Sequence, residues 1–448
     1  MFGWFKPRCP LNTWEKAWTE TTFANLVEVV GLPRVTDAQL LLPTREHFPE
    51  AFGPPPHDAQ VMLARVRQYV RLDVGKVGVR VLREEDETWD ATRDEARWDE
   101  PVARVQEEAL ADAEVLVAAL ACELARIYLA QTEAYAEPGS DGPWAAELLA
   151  VMLGAGIFVA NATVGEQHAN SQALWHSWQM RRRGAMPARM VGYGLALFAW
   201  TRDEPATWSS YLRPDAAQAL TDGLRYLRRT EDSLFVPTSY AAGAPEPSVE
   251  ALIDQLAGGT PSGRMAALWA TARRGTEAAA TEEHVIACVS SRDVQLRVEA
   301  QRTLAAIGAR SPAAEEAVLL GLRDGSEDAR AAATYAAAEL FPDSDRMMEE
   351  LATLLEDDSG EVVCGAAYAL SQHGRRAADQ LNRVLAVLKR GIVACHEPIT
   401  AAACGALTAI AADPAYCLCE RFADDPEMLD QAIRHFRNYG RTGEPEID

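Results

Sequence analysis

The sequence predicts a mainly α protein in two parts: an α+β domain over residues 1–240 and a C-terminal α-solenoid over residues 248–448, joined by a linker at 241–247. Three observations carry this. From about Val102 to the C-terminus, apolar residues recur with helical spacing. Before that point, Val77, Val79 and Val81 alternate with the period of two expected of a strand. In the second half, similar blocks of sequence return at a fixed interval, the mark of stacked repeats.

The first part reads as a helix from Trp14 to Val30, a strand or loop at Leu40 to Pro43, a helix from Asp58 to Val70 and a strand from Val77 to Leu82. The acidic stretch Arg83 to Glu100, with Trp89 and Trp98, has the charge density of a solvated loop. Helices are then expected at Val102 to Gln131, Trp144 to Thr163, Ser171 to Arg182, Met190 to Thr201 and Pro214 to Leu227. The small residues and two prolines between Tyr240 and Pro247 break the pattern and place the linker. Ala145 to Val164 is as long and apolar as a membrane span, but it carries Glu147 and Asn161 and is expected to be a buried core helix.

Charge narrows the function. The 448 residues include 43 Lys and Arg against 66 Asp and Glu, a formal charge of −23. That balance repels phosphate backbones and anionic lipid, so neither nucleic acid nor a membrane is an expected partner. Residues 1–10 hold no apolar run long enough for a secretory signal, and the eight cysteines are scattered, which favours reduced thiols and a cytoplasmic location. The chain has no phosphate-binding G-x-x-x-x-G-K-[ST] loop, and no cofactor is expected.

In the second part, Leu296 to Leu304, Ala329 to Ala337 and Val362 to Leu370 superpose, with Leu304, Ala337 and Leu370 equally spaced along the chain. A further match at Ile399 to Leu407 follows after a small loop insertion. Each unit has an apolar first helix, an acidic turn such as Asp324-Gly325-Ser326-Glu327 or Asp357-Asp358-Ser359-Gly360-Glu361, and a second helix of small residues. Asp357 to Leu370 and Ser291 to Leu304 carry a D-x-x-x-x-V-R-x-x-A-A-x-A-L character, and in this the segment resembles HEAT-like repeats of the short bacterial type. Ankyrin and tetratricopeptide signatures are absent. Such an array buries one continuous core and presents an extended face, so protein or peptide binding is the expected function. The acidic turns would favour a basic partner; equally, they serve as soluble turns and helix caps.

One motif in the first part bears on chemistry. Cys122-Glu123-Leu124-Ala125-Arg126 has the layout of an H-E-x-x-H helix, in which two histidines one turn apart hold zinc and the glutamate polarises a bound water. Here Cys122 and Arg126 stand at the histidine positions, and a guanidinium has no lone pair to donate. Glu123 falls in the apolar stripe of Leu116, Leu120 and Ile127, so it should face inward and need a partner; Arg126 and Glu147 are the nearest candidates. An incidental C-E-x-x-R on an ordinary helix gives the same string.

The context extends further. Together with Cys9-Pro10-Leu11, Trp14 to Trp18, the apolar stretch around Glu147, Gly192 to Trp200 and Gly223 to Leu227, this region resembles a group of uncharacterised bacterial zincin-like proteins. The resemblance implies that Glu123 matches the general base and Glu147 the third metal ligand, while Cys122 and Arg126 depart from the histidines. It therefore implies a pseudo-enzyme whose vestigial site is Cys122, Glu123, Arg126 and Glu147.

Two other clusters hold metal-ligand residue types. His168 and His176, beside Trp175 and Trp178, lack accompanying ligands of suitable spacing. Cys395-His396, Cys404 and Cys417-Leu418-Cys419 form a candidate thiolate cluster, but Cys364 occupies a repeat slot held elsewhere by Val298 and Ala331, so small core cysteines are the prevailing use. The leading expectation is a non-catalytic binding or scaffold protein. The alternative is a metal-dependent hydrolase with a non-standard ligand set around Glu123 and Glu147, joined by His168 or His176. A third reading, a purely structural N-terminal domain, expects Glu123 and Arg126 exposed on different surfaces.

Overall fold

The computed structural model describes residues 7–83, 101–132, 142–162, 186–240, 243 and 246–440. The protein is mainly helical, 73% helix against 3% strand. It divides into two compact units, Met1–Pro245 and Glu246–Asp448.

The first unit opens with α1, Thr13–Val30, held by a capping box in which Asn12 accepts from the Glu15 N–H and Glu15 accepts from that of Asn12. Gly31, at φ 84°, turns the chain into the short α2, Leu32–Thr36. Asp58 caps α3, Ala59–Val70. Strand β1, Gly78–Leu82, pairs in parallel with β2, Val102–Gln106, with Arg80 opposite Arg104. The helix expected from Val102 therefore begins later, as α4, Ala113–Ala130, capped by Asp112. In β2, Ala103 and Val105 are buried and alternate with less buried neighbours, the burial pattern of a strand.

The apolar segment follows as α5, Gly142–Ala150, a π-helical turn at Val151–Ala155, and α6, Gly156–Ala162. Its composition suffices to cross a membrane, yet 94% of its most apolar window is buried inside the protein. Its polar residues are engaged. Asn161 bonds Glu114, the Tyr211 carbonyl and the Arg213 N–H, while Glu147 accepts from the Met186 N–H at 2.8 Å. The break lies at Gly154, φ 97°, whose carbonyl accepts from the Leu41 N–H; a Cβ there would stand 2.1 Å from the Gln39 carbonyl oxygen. Only glycine admits that crossing of loop and helix. Helices α7, Ala188–Thr201, and α8, Pro214–Arg229, pack together and complete the unit, while α4 packs on α3, α5, α6 and β2.

The second unit contains only helices among its described residues. In order they are α9, Val249–Gly258; α10, Pro261–Arg274; α11, Glu282–Val289; α12, Val294–Ile307; α13, Pro312–Leu322; α14, Glu327–Leu340; α15, Asp345–Leu354; α16, Gly360–His373; α17, Leu381–Val393; α18, Glu397–Ile410; α19, Pro414–Arg421; and α20, Pro426–Tyr439. Each odd-numbered helix from α9 to α17 packs on the helix after it. Two rows result: α10, α12, α14, α16 and α18 touch in succession, as do α9, α11, α13 and α15.

Helix α14, in the even row, is built from small residues. In α14, Ala329, Ala332, Ala333, Ala336 and Ala337 are all buried. A Cβ at Gly365 in α16 would fall 2.0 Å from Thr334 Oγ1, so the Thr334 side chain of α14 occupies the space a larger residue would need.

Candidate functional site

Glu123 lies on α4 facing the β2 strand. Its Oε1 accepts from Arg126 Nε at 3.0 Å, and its Oε2 accepts from Arg126 Nη2 at 3.1 Å and from the backbone N–H of Arg104 at 2.9 Å. The pair is half-buried, with side-chain exposures of 32% for Arg126 and 19% for Glu123. Both carboxylate oxygens thus receive charge-assisted bonds, and one of them also satisfies a strand N–H. The two side chains share one face and bond each other, unlike the arrangement expected of a purely structural domain with the two on different surfaces.

Cys122 stands one residue earlier, partly buried. Burial pushes its thiol well above the ordinary range, and the charges of Glu147 and Glu123 push it further the same way. A thiol so disfavoured as thiolate is a poor nucleophile and a poor ligand. Glu147, on α5, is buried, and its Oε2 accepts from the Met186 N–H.

A zinc ion does not suit these four residues. One ligand position is a guanidinium already bonded to the would-be base, and the other is a thiol held protonated by burial and two carboxylates. Among the described residues no group of three or more His, Cys, Asp and Glu is placed to hold a metal. His168 and His176 lie outside the described residues. In the second unit, His396 is the N-cap of α18, its Nδ1 accepting from the Ile399 N–H. Cys404 is buried and pushed up to about 12 by that burial, and Cys417 is raised for the same reason.

The densest polar cluster described in the first unit is one that motif reasoning passed over. Lys16 and Glu20, on α1, are 4% and 0% exposed and bond at 3.0 Å. Tyr193 of α7 donates to the other Glu20 oxygen at 2.6 Å, and the Leu234 N–H donates to Glu20 at 2.8 Å. Lys16 also lies 3.7 Å from Asp232 and over the ring of Tyr226, whose hydroxyl bonds Asp232. Burial pushes the Glu20 carboxyl and the Tyr193 hydroxyl up, and the Cys9 thiol beside them to about 11. The cluster joins α1, α7, α8 and the segment after α8 through fully engaged groups, which fits a cross-link rather than a reaction centre. No signal in the string marked it: Trp14 and Trp18 stack on each other one turn apart, while Lys16, two residues from each, lies on the other side of the helix.

In the second unit the polar bonds repeat. Arg297 of α12 bonds Asp324 at 2.6 and 2.8 Å, and Arg330 of α14 bonds Asp357 at 2.8 and 3.0 Å. Asp324 and Asp357 also accept from the Ser326 and Ser359 N–H groups. Ser311 and Ser344, N-caps of α13 and α15, donate to Glu282 and Glu315. Each of these pairs recurs at the equivalent positions of the next repeat. In the acidic turns, Asp324 and Asp357 are therefore engaged by neighbouring helices.

No protein-family model matches the chain, and no curated protein is similar to it.

Proposed function

We propose that this protein is a non-catalytic scaffold. Its first unit is read as a zincin-like domain that has lost its metal, its second as an α-solenoid of HEAT-like repeats that binds a protein or peptide, and its setting as the cytoplasm. The observation that carries the binding reading is the return of the same Arg–Asp and Ser–Glu bonds, one repeat apart, along two rows of stacked helices. Interfaces that recur in this way are what a repeat array needs to propagate, and such arrays serve recognition. The pseudo-enzyme reading is supported by the arginine that occupies Glu123, the residue a hydrolase would keep free for water.

The test uses the full chain as bait, as wild type and as Glu123→Gln. A binding protein retains the same partner at the same stoichiometry in both forms. Failure to retain any partner, or a partner cleaved by the wild type and spared by Glu123→Gln, overturns the proposal.

A further inference from the structure

In the even row of helices, one outward position is filled by Trp269, Arg302, Tyr335 and Tyr368, on α10, α12, α14 and α16, each one repeat after the last. Tyr335 and Tyr368 are 46% and 40% exposed, and their rings lie 6.0 Å apart, tilted by 42°. The buried faces of their helices are filled by other residues, mostly alanines with Leu340, Val362, Val363 and Leu370, so neither ring is needed to fill the core. The earlier half of the row is occupied differently. Glu299 bonds the Trp269 side chain and lies 3.7 Å from Arg302.

Acidic groups surround the two tyrosines. Asp328 and Glu361 stand two helical turns before them on the same face, Glu339 stands one turn after Tyr335, and all three are exposed. Glu361 is close enough for its charge to act on the Tyr335 hydroxyl.

We propose that Tyr335 and Tyr368, with Asp328, Glu339 and Glu361, form the docking surface for an extended cationic segment of a partner protein, one with Lys or Arg at alternate positions. The proposal rests on the binding reading above and assigns it a face and a partner chemistry. An extended chain rises about 3.3 Å per residue, so side chains on one side recur every ~6.6 Å. That repeat matches the ring spacing of 6.0 Å. Each cation would sit over a tyrosine face, whose quadrupole attracts it, with a carboxylate within reach. Exposed tyrosines that fill no core are also the residues that anchor interfaces.

The test titrates the full-length protein with a fluorescent peptide of about twelve residues alternating Arg and Ser. A block isomer of the same composition and an alternating Glu and Ser peptide serve as controls. The alternating Arg peptide should bind saturably and more tightly than its block isomer. Tyr335→Ala/Tyr368→Ala, which changes no charge, should weaken it by about tenfold or more, with the melting transition retained. Asp328→Asn/Glu361→Gln should weaken it as well.

Equal binding of both isomers that ignores the tyrosine variant would reveal attraction to the net charge alone and overturn the proposal, while leaving the binding reading intact. Preference for the acidic peptide overturns the partner chemistry. No binding of any peptide overturns the docking face, and the partner-capture experiment then decides the binding reading separately.

Discussion

The two units handle charge in opposite ways. In the first, the Lys16–Glu20 pair is sealed from water and meshed with Tyr193, Asp232 and the Leu234 N–H, a constellation without a copy among the described residues. In the second, Arg297–Asp324 and Arg330–Asp357 are half-buried copies of one bond set at the edge of stacked helices. A buried network is all-or-none, because removing one member strands the others in a medium that cannot solvate them. A repeated edge bond is incremental, because each copy ties only two neighbours and the loss of one leaves the next in place. The first unit should therefore respond steeply to single substitutions and the second gradually.

The largest expected effect comes from breaking the buried pair from one side. Glu20→Ala should cost about 3–5 kcal/mol, because it leaves Lys16 buried with a weakened set of partners. Urea unfolding followed by tryptophan fluorescence measures this, since ten of the eleven tryptophans lie in the first unit. A loss below about 1 kcal/mol would mean that the cluster is hydrated and that the contrast between the units is false.

Next in size is Arg297→Ala, expected to cost about 1.5–3 kcal/mol as the loss of charge-assisted bonds to a half-buried carboxylate. Its acid dependence sharpens the comparison. The Arg297 hydrogen bonds hold the Asp324 carboxyl below its ordinary range, with burial opposing them. A depressed carboxylate stabilises fully above its unfolded pKa of about 3.9, and the contribution is lost as pH falls below that value and through the folded one. Circular dichroism melts of wild type and Asp324→Asn should differ at neutral pH and converge as the pH is lowered through that window. A gap that stays constant across it would contradict the assignment.

A smaller effect of opposite sign is expected at His373. It is 5% exposed, neither ring nitrogen has a hydrogen-bond partner among the described residues, and the equivalent positions of the two preceding repeats hold Leu340 and Ile307. Burial lowers its pKa, Arg376 adds to this, and Asp343 and Asp345 oppose it. The unfolded chain therefore takes up the proton first, and stability falls as pH drops below about 6.5. His373→Leu should stabilise by about 1–2 kcal/mol at neutral pH and by more below pH ~6, read from the same melts. No gain, or a gain that shrinks in mild acid, would show that the ring has a partner.

The smallest expected loss is at the Glu123–Arg126 pair. The sequence pattern alone suggests a cost of about 3 kcal/mol for Arg126→Ala, on the premise of stranded buried carboxylates. The pair is more open than that, and Glu123 keeps the Arg104 N–H, so about 1 kcal/mol is expected instead. Thermal melts of the variant decide between the two figures.

These contrasts also explain what could be read from the chain beforehand. Helices whose apolar residues recur every three or four positions were legible at Trp14 to Val30, Asp58 to Val70, Met190 to Thr201 and Pro214 to Leu227, while the one expected at Ser171 to Arg182 lies outside the described residues; the similar blocks ending at Leu304 and Leu370 needed only alignment. The segment Val102 to Gln106 was misread because Val102 and Val105 suit a helix face, while Ala103 and Val105 suit a strand; pairing with β1, far from it in sequence, decided the matter. The turn at Gly154 was hidden for a similar reason, since its positive φ answers to the distant loop around Gln39 and Leu41. Around Glu123 the spacing of the motif foretold that Arg126 would be its neighbour, but the Arg104 N–H bond depended on β2 and was invisible. Nothing in the string separates Lys16 and Glu20 from an ordinary i, i+4 pair on a helix surface; their burial depends on Tyr193 and Leu234, distant in sequence.

The central claim, that Arg126 stands where a metal would and that the protein works by binding, is tested most directly by elemental analysis of the purified full-length chain. The account predicts zinc far below one atom per chain and a melting transition indifferent to chelator. One zinc per chain, with a transition lowered by chelation, would contradict it.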